Sequence, residues 1–367
     1  MPDNDIATNA VMLRMPVTLV FGTSGRESIS ARVSPLAELC ACLHALAEPH
    51  HHPASRQWVM GVRNELDEEL LIRASVWAPL WSAFRARYLL PLRGDTELPL
   101  DEELAAVARL PERDFVAMSA QALIGKSSRE PPAGLPDDRF LSRLRLNSEQ
   151  RHELGRRLLD DVGRFRDDLL AFLATMAEAA FVTEWDTLRP VLEADARTRT
   201  HNVRKHGPSA LADLPAASEK LDPPGIVFDK LYHASARLDE TPCVLVPSLH
   251  LSPHTVIKHY PRFPVVVQYP VRVDGEAPSF DTARYRLAAL QDPMRMRLAR
   301  ALLREPMTTT ELAQRFEMTT PQTSRHLRRL REAGLVLAHR SSVRVRYQLD
   351  VDAVRRLGVD LLSALYR

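Results

Sequence analysis

The chain has 367 residues, 45% of them hydrophobic, 26% charged and 6% aromatic, which fits a folded protein of about two domains and excludes collagen-like and wholly disordered readings. No stretch approaches the ~18 uninterrupted apolar residues that a membrane span needs. The formal charge of +2 hides an asymmetry: residues 281–367 hold 17 Arg, no Lys and 9 acids, giving +8, while the first 280 residues hold 32 basic and 38 acidic side chains, giving −6. A basic module on an acidic body is the pattern expected when one part of a chain meets a polyanion.

Residues 1–12 read as a polar, disordered lead with no export signal. Cys40, Cys42 and Cys243 are too few and too uneven for a disulfide framework, so the cytoplasm is the expected compartment. Val17 to Phe21 reads as a strand, and Gly22-Thr23-Ser24-Gly25 as a turn without phosphate-loop spacing. Ser34-Pro35 starts a helix with Leu36, Leu39, Leu43 and Leu46 on one face, and the pattern stays helical to about Leu90. Further helix starts fall at Asp101, Pro111 and Ser148. The longest runs from Ser148 to about Ala180 with Leu154, Leu158, Val162, Phe165, Leu169 and Phe172 on one stripe.

From Gly225 the period changes to two. Ile226 to Phe228, Cys243 to Pro247, Val256 to Lys258 and Val265 to Val273 are expected to form a small antiparallel sheet. The fold class is therefore α+β: residues 13–273 as a regulatory or dimerisation domain, 274–283 as a linker, and 284–367 as a separate C-terminal module.

Two sets of soft ligands stand out in the body. Cys40, Cys42, His44 and His50-His51-His52 form one; Cys40 and Cys42 lie about 200° apart on a helix and cannot share an ion, whereas Cys40 and His44 can. His250, His254 and His259 form the other. Both are read as structural residues, so no metal site is expected. Nucleophile elbows, phosphate loops, CxxC pairs and HExxH are absent, so neither catalytic residues nor a cofactor are expected, and the chain reads as a non-enzyme.

The C-terminal module is more explicit. A helix begins at Asp292-Pro293. Thr308-Thr309-Thr310-Glu311 is a capping box that opens a short helix, and Thr319-x-x-Gln322 opens another, with only Glu317 and Met318 between. Two short helices joined so tightly are a helix-turn-helix. In the second, Thr323, Leu327, Leu330 and Gly334 form the packing stripe, while Gln322, Arg325, Arg328 and Arg329 point away and Ser324 and His326 flank them. Those donors and acceptors suit base edges in the major groove. After Ala333-Gly334 comes a hairpin, Leu335 to His339 and Val343 to Leu349, with a basic tip and face at Arg340, Ser341, Arg344 and Arg346. Val354, Leu357, Leu361, Leu362 and Leu365 then form an apolar stripe on a last helix.

Residues 284–349 resemble the winged helix-turn-helix of the arsenic-repressor (ArsR) family, through L-A-A-L-Q-D-P-M-R-M-R-L, E-L-A-Q-R-F and T-T-P-Q-T-S-R-H-L-R-R-L-R-E-A-G-L-V, followed by an Arg-rich hairpin ending R-Y-Q-L. The resemblance implies a repressor that contacts DNA through Thr319, Thr320, Gln322, Thr323, Ser324, Arg325, His326, Arg328, Arg329 and the hairpin, and that dimerises through its last helix. Departures from the family are informative. Thr309-Thr310-Glu311-Leu312 stands where metal sensors carry a Cys pair, 352–367 hold no His, and Glu317 stands where Gly is frequent. Neither familiar metal site can form, so the expected signal is a non-metal small molecule. The alternative is a body without a ligand that serves dimerisation or recruits a protein. The first 280 residues resemble an uncharacterised domain that precedes such modules in GC-rich bacteria, through V-T-L-V-F, V-L-V-P-S and V-V-Q-Y-P-V-R. Expected partners are thus double-stranded operator DNA, a second copy of the chain and a small-molecule effector, with no membrane.

Overall fold

A computed structural model describes residues 15–22, 28–82, 84–125, 138–214, 217–228, 230–271, 280–340 and 345–365. The expected lead 1–12, Thr23 to Gly25 of the expected turn, residues 274–279 of the linker, and Ser341 and Arg344 of the hairpin lie outside the described residues. The chain divides between 273 and 274 into two compact units.

Unit 1 is a helical block beside two sheets. Helix α1 (Pro35–Ala47) starts where Ser34 accepts the Ala37 N–H and Pro35 fills the first turn. Then come α2 (Arg56–Glu65), α3 (Glu68–Trp77), α4 (Leu100–Ala108), α5 (Glu112–Ile124) and α6 (Asp138–Asn147). The expected single helix from Ser148 is instead α7 (Glu149–Asp160) and α8 (Val162–Met176), followed by a π turn and α9 (Val182–His206). Asp161 breaks it: the residue is extended (φ −156°, ψ 96°) and its carboxylate accepts the Arg164 N–H, the short side chain competing with the helix for a backbone donor. The apolar stripe crosses the break intact, since Leu154, Leu158, Phe165, Leu169 and Phe172 share one core with Trp77, Trp81 and Phe115.

The strands of unit 1 are β1 (Met15–Val20), β2 (Ile29–Ala31), β3 (Ala217–Leu221), β4 (Pro224–Phe228), β5 (Leu231–Arg237), β6 (Cys243–Ser248), β7 (Val256–Lys258) and β8 (Val265–Pro270). They form two sheets, ordered β3-β4-β1-β5 and β2-β6-β8-β7. Neither is the purely antiparallel sheet that was expected: β1 runs parallel to β5, and β6 parallel to both β2 and β8. A period of two sets which residues share a face but carries nothing about strand direction. β1 and β2 also precede the whole helical block, so no short hairpin constrains them.

Alternation along β6 and β8 explains their unbroken apolar runs. Cys243, Leu245, Val265 and Val267 face a core shared with Leu19, Ile226 and Phe228 of the other sheet. Val244, Val246 and Val266 face Ala37 of α1 and Leu90. Strands covered on both faces read as continuous hydrophobic segments. Buried arginines close the seam. The guanidinium of Arg85 donates to the carbonyls of Ala37 (3.4 Å) and Cys40 (3.3 Å) and to the Gln268 side chain, and that of Arg87 to the carbonyls of Leu90, Pro91 and Pro264. Glu38 on α1 accepts the N–H groups of Leu249 and His250, both at 3.0 Å, hanging the segment after β6 on the helix.

Unit 2 comprises α10 (Phe280–Leu290), α11 (Pro293–Arg304), β9 (Met307–Thr308), α12 (Thr309–Arg315), α13 (Thr320–Glu332), β10 (Val336–Arg340), β11 (Val345–Leu349) and α14 (Val351–Leu365). Helix α10 takes in residues 280–283, which the sequence assigns to the linker. The three strands pair antiparallel in the order β10-β11-β9. Leu298, Leu302, Leu312, Leu327, Leu330 and Leu335 form the core.

Glu103 of α4 gives unit 1 a measurable pH dependence. Its carboxylate accepts from the Ser34 hydroxyl (2.7 Å) and the Leu36 N–H (2.8 Å), yet burial raises its pKa from 4.5 to about 7. The folded state therefore holds this proton more tightly than the unfolded chain does, so its contribution is full below about 4.5 and is lost as pH rises through about 7. In urea titrations across that window the wild type loses stability more steeply than Glu103→Gln. Equal slopes would contradict this.

Candidate nucleic-acid interface

Both caps of the helix-turn-helix are formed. The Thr308 hydroxyl accepts the Glu311 N–H at 3.2 Å and the Glu311 carboxylate accepts the Thr308 N–H at 2.7 Å. At the second helix the Thr319 hydroxyl accepts the Gln322 N–H at 3.4 Å while Gln322 Oε1 accepts the Thr319 N–H at 3.0 Å. Glu317 in the turn is left-handed, with φ 53°.

These bonds sort the residues expected to meet DNA. Thr319, Thr320, Gln322, Ser324, Arg325, Arg328 and Arg329 are exposed and His326 is half-buried. Thr323 is corrected: it is fully buried and its hydroxyl donates to the Thr319 carbonyl at 3.1 Å, so it seats the helix beside Leu327 and Leu330. The carbonyl oxygen of Gln322 is spent on the cap, which removes the acceptor needed for a bidentate adenine contact in this pose. His326 Nδ1 turns toward Asp292 (3.9 Å), whose carboxyl is held below its usual range chiefly by the Arg295 N–H. Arg329 lies against the Tyr285 hydroxyl (3.5 Å) and Glu332 (3.6 Å). Among the described residues, Arg325 and Arg328 form no ion pair, so their charge faces outward.

In the hairpin, Arg346 is drawn back to the Pro306 carbonyl (3.0 Å) and approaches Glu311 (3.9 Å), because its strand pairs with β9 at Thr308. The side chain of Arg340 is outside the described set, as are those of Leu362 and Leu365 on α14. Val354, Leu357 and Leu361 are half-buried. A buried ion pair, Arg286 to Asp360 at 2.9 Å, ties α10 to α14, and Arg286 also donates to the Ala333 carbonyl where α13 ends. Tyr285, Arg286 and Asp292 thus position the helix; sequence patterns hide the first two, which act across the tertiary fold, whereas Asp292 is legible as the cap of α11 and only its approach to His326 is not.

Unit 1 gathers some of the soft ligands and separates others. His44, His52 and His254 come together, as do Glu38, Cys42 and His250. Cys40 joins neither group, its thiol buried and pushed up to about 12 by desolvation. His50 and His259 are exposed. The first histidine group spans both constellations that the sequence presents separately, a link that only tertiary packing supplies.

A family model described as a family of unknown function (DUF5937) matches residues 15–275. The chain belongs to this family. A second model, bacterial regulatory protein, arsR family, matches residues 292–337, so the DUF5937 domain is followed by an ArsR-family helix-turn-helix. With that module the chain is a DNA-binding regulatory protein. Among solved structures, reduced HlyU from Vibrio cholerae is 29% identical, over 23% of this chain and 90% of its own, with a TM-score of 0.20. The homodimeric winged helix-turn-helix domain of a possible ArsR-family transcriptional regulator from Mycobacterium bovis is 22% identical, over 25% of this chain and 90% of its own, with a TM-score of 0.21. No curated protein matches the chain. Among the described residues no helix is long and apolar enough to cross a membrane.

The left-handed Glu317 marks a strained position in the ArsR-type turn. Glu317→Gly removes a Cβ from that conformation and is expected to stabilise unit 2 by up to about 1 kcal/mol. Differential scanning calorimetry of the full chain reads this as a raised melting temperature; a lowered one would show that the Glu317 side chain supports the turn.

Proposed function

We propose that the chain is a homodimeric, sequence-specific transcriptional repressor that lays α13 in the major groove of double-stranded operator DNA and occludes a promoter. The observation that carries this is the two-sidedness of α13: Thr323, Leu327 and Leu330 are buried, while Arg325 and Arg328 face outward without a counter-charge among the described residues. Ser324 and Arg325 are assigned to base edges. Thr319 and Thr320 at the helix start, with Arg328 and Arg329, border the contact, and Gln322 and His326 hold the pose. Arg340, Ser341, Arg344 and Arg346 are assigned to phosphates, Arg346 by exchanging the Pro306 carbonyl for DNA.

Two half-sites one helical turn apart require two recognition helices, and the apolar stripe Val354, Leu357, Leu361, Leu362 and Leu365 on α14 is assigned to the two-fold contact. Unit 1 is assigned a signal-receiving role. A cleft of about 530 Å³ lined by Glu97, Glu193, Arg197, Thr200, His201 and Arg204 supports this, because its mixed charges suit a small polar molecule. The cytoplasm is the compartment assigned to it, in keeping with action on DNA.

The test is a gel shift on the DNA upstream of the chain's own gene. Arg325→Ala is expected to weaken specific binding by about 1–3 kcal/mol, roughly 5- to 150-fold, with little change on unrelated DNA. Arg346→Ala weakens both and lowers the salt slope by about 1. The absence of a shifted band at low salt, or unaltered binding by Arg325→Ala, would contradict the proposal.

A further inference from the structure

Three buried or half-buried histidines converge in unit 1 from segments far apart in sequence. His44 lies on α1, His52 follows the turn after it, and His254 belongs to the segment that Glu38 anchors after β6. One ring nitrogen of each lies within 4.8 Å of the other two. Their ring centroids are 4.4, 5.0 and 5.5 Å apart, close to the spacing of about 5 Å that three imidazoles adopt around one tetrahedral ion with 2.0–2.1 Å bonds.

An outer contact sets the tautomer of His52. His52 Nδ1 lies 3.0 Å from the Ser252 carbonyl, which can only accept, so the proton sits on Nδ1 and Nε2 presents a lone pair. His44 Nε2 lies 3.6 Å from the Glu48 carboxylate, which meets His51 Nδ1 at 2.7 Å, and the other His44 nitrogen, Nδ1, is buried. Those two inner atoms, His44 Nδ1 and His52 Nε2, are buried and make no hydrogen bond to any described residue. Buried polar atoms are rarely left so. The carbonyl behind His52 and the carboxylate near His44 are of the kind that orients histidines on a metal ion. Burial also lowers the pKa of all three rings, His52 to about 2 and His254 to about 3, so they are uncharged at neutral pH. By contrast, the Glu38, Cys42 and His250 group is closed, since His250 Nδ1 meets Ser55 Oγ at 3.0 Å and Nε2 meets Glu184 at 2.9 Å.

We infer that His44 Nδ1, His52 Nε2 and a ring nitrogen of His254 form a binding site for one divalent transition-metal ion of the zinc type, with Glu48 and the Ser252 carbonyl as its outer shell. This departs from the expectation of a metal-free body, and it stands apart from the DNA-reading proposal, which concerns unit 2 alone. Ring shifts of about 1 Å bring the three nitrogens to bonding range. His254 is half-buried, the most exposed of the three rings. Three neutral imidazoles favour zinc, cobalt, nickel or copper over magnesium or calcium. The ion ties α1 to segments about 200 residues away, so binding stabilises unit 1.

The test titrates chelator-treated full-length protein with cobalt(II) and zinc(II), reading visible cobalt bands, stoichiometry and melting temperature. One ion per chain and a melting temperature raised by zinc are expected for the wild type, with both lost in His52→Asn/His254→Asn and both kept in His50→Ala/His259→Ala. Should the double Asn variant fail to fold, Glu48→Gln decides: a 10- to 100-fold loss of zinc affinity supports the site, and unchanged affinity overturns it. No stoichiometric binding by the wild type, or binding that survives in His52→Asn/His254→Asn or disappears with the exposed histidines, likewise overturns it.

Discussion

Helix α13 can offer a face to DNA because its other face is wholly committed. Thr323, Leu327 and Leu330 are buried against the Leu298, Leu302 and Leu312 core, and this burial fixes the helix's rotation about its axis. Given that rotation, the 100° step per residue leaves Arg325 and Arg328 nowhere to point but outward. The two capping boxes set where each helix begins, and the left-handed Glu317 sets the turn between them. The buried Arg286 to Asp360 pair then fixes where α14 and the end of α13 meet α10.

The same commitments limit what the helix can read. A residue that caps or buttresses is not free to bind, so Gln322, His326 and Thr323 serve the pose while Ser324 and Arg325 are left exposed. Arg346 occupies an intermediate position, held by a carbonyl that phosphate oxygens can replace at modest cost. The +8 charge of residues 281–367 supplies long-range attraction, and the −6 of the preceding residues opposes adventitious contact of the body with DNA.

Much of unit 2 is legible in sequence because its signals are local. Thr308 with Glu311, and Thr319 with Gln322, announce helix starts within four residues, and Leu327 and Leu330 announce the buried face. What escapes is whatever depends on contacts distant in sequence. Nothing near β6 or β8 reveals that they run parallel. Asp161 breaks a helix whose apolar stripe continues without a fault. The convergence of His44 and His52 with His254 needs Glu38 to draw the segment after β6 onto α1, a bond between residues more than 200 positions apart.

The proposed two-fold reading of double-stranded DNA by α13 is open to selection of DNA fragments from a random pool by the full-length protein, followed by sequencing. One enriched motif with two-fold symmetry is expected, its half-sites about 10 base pairs apart centre to centre. Enrichment of no motif, or of one without that symmetry, would contradict it.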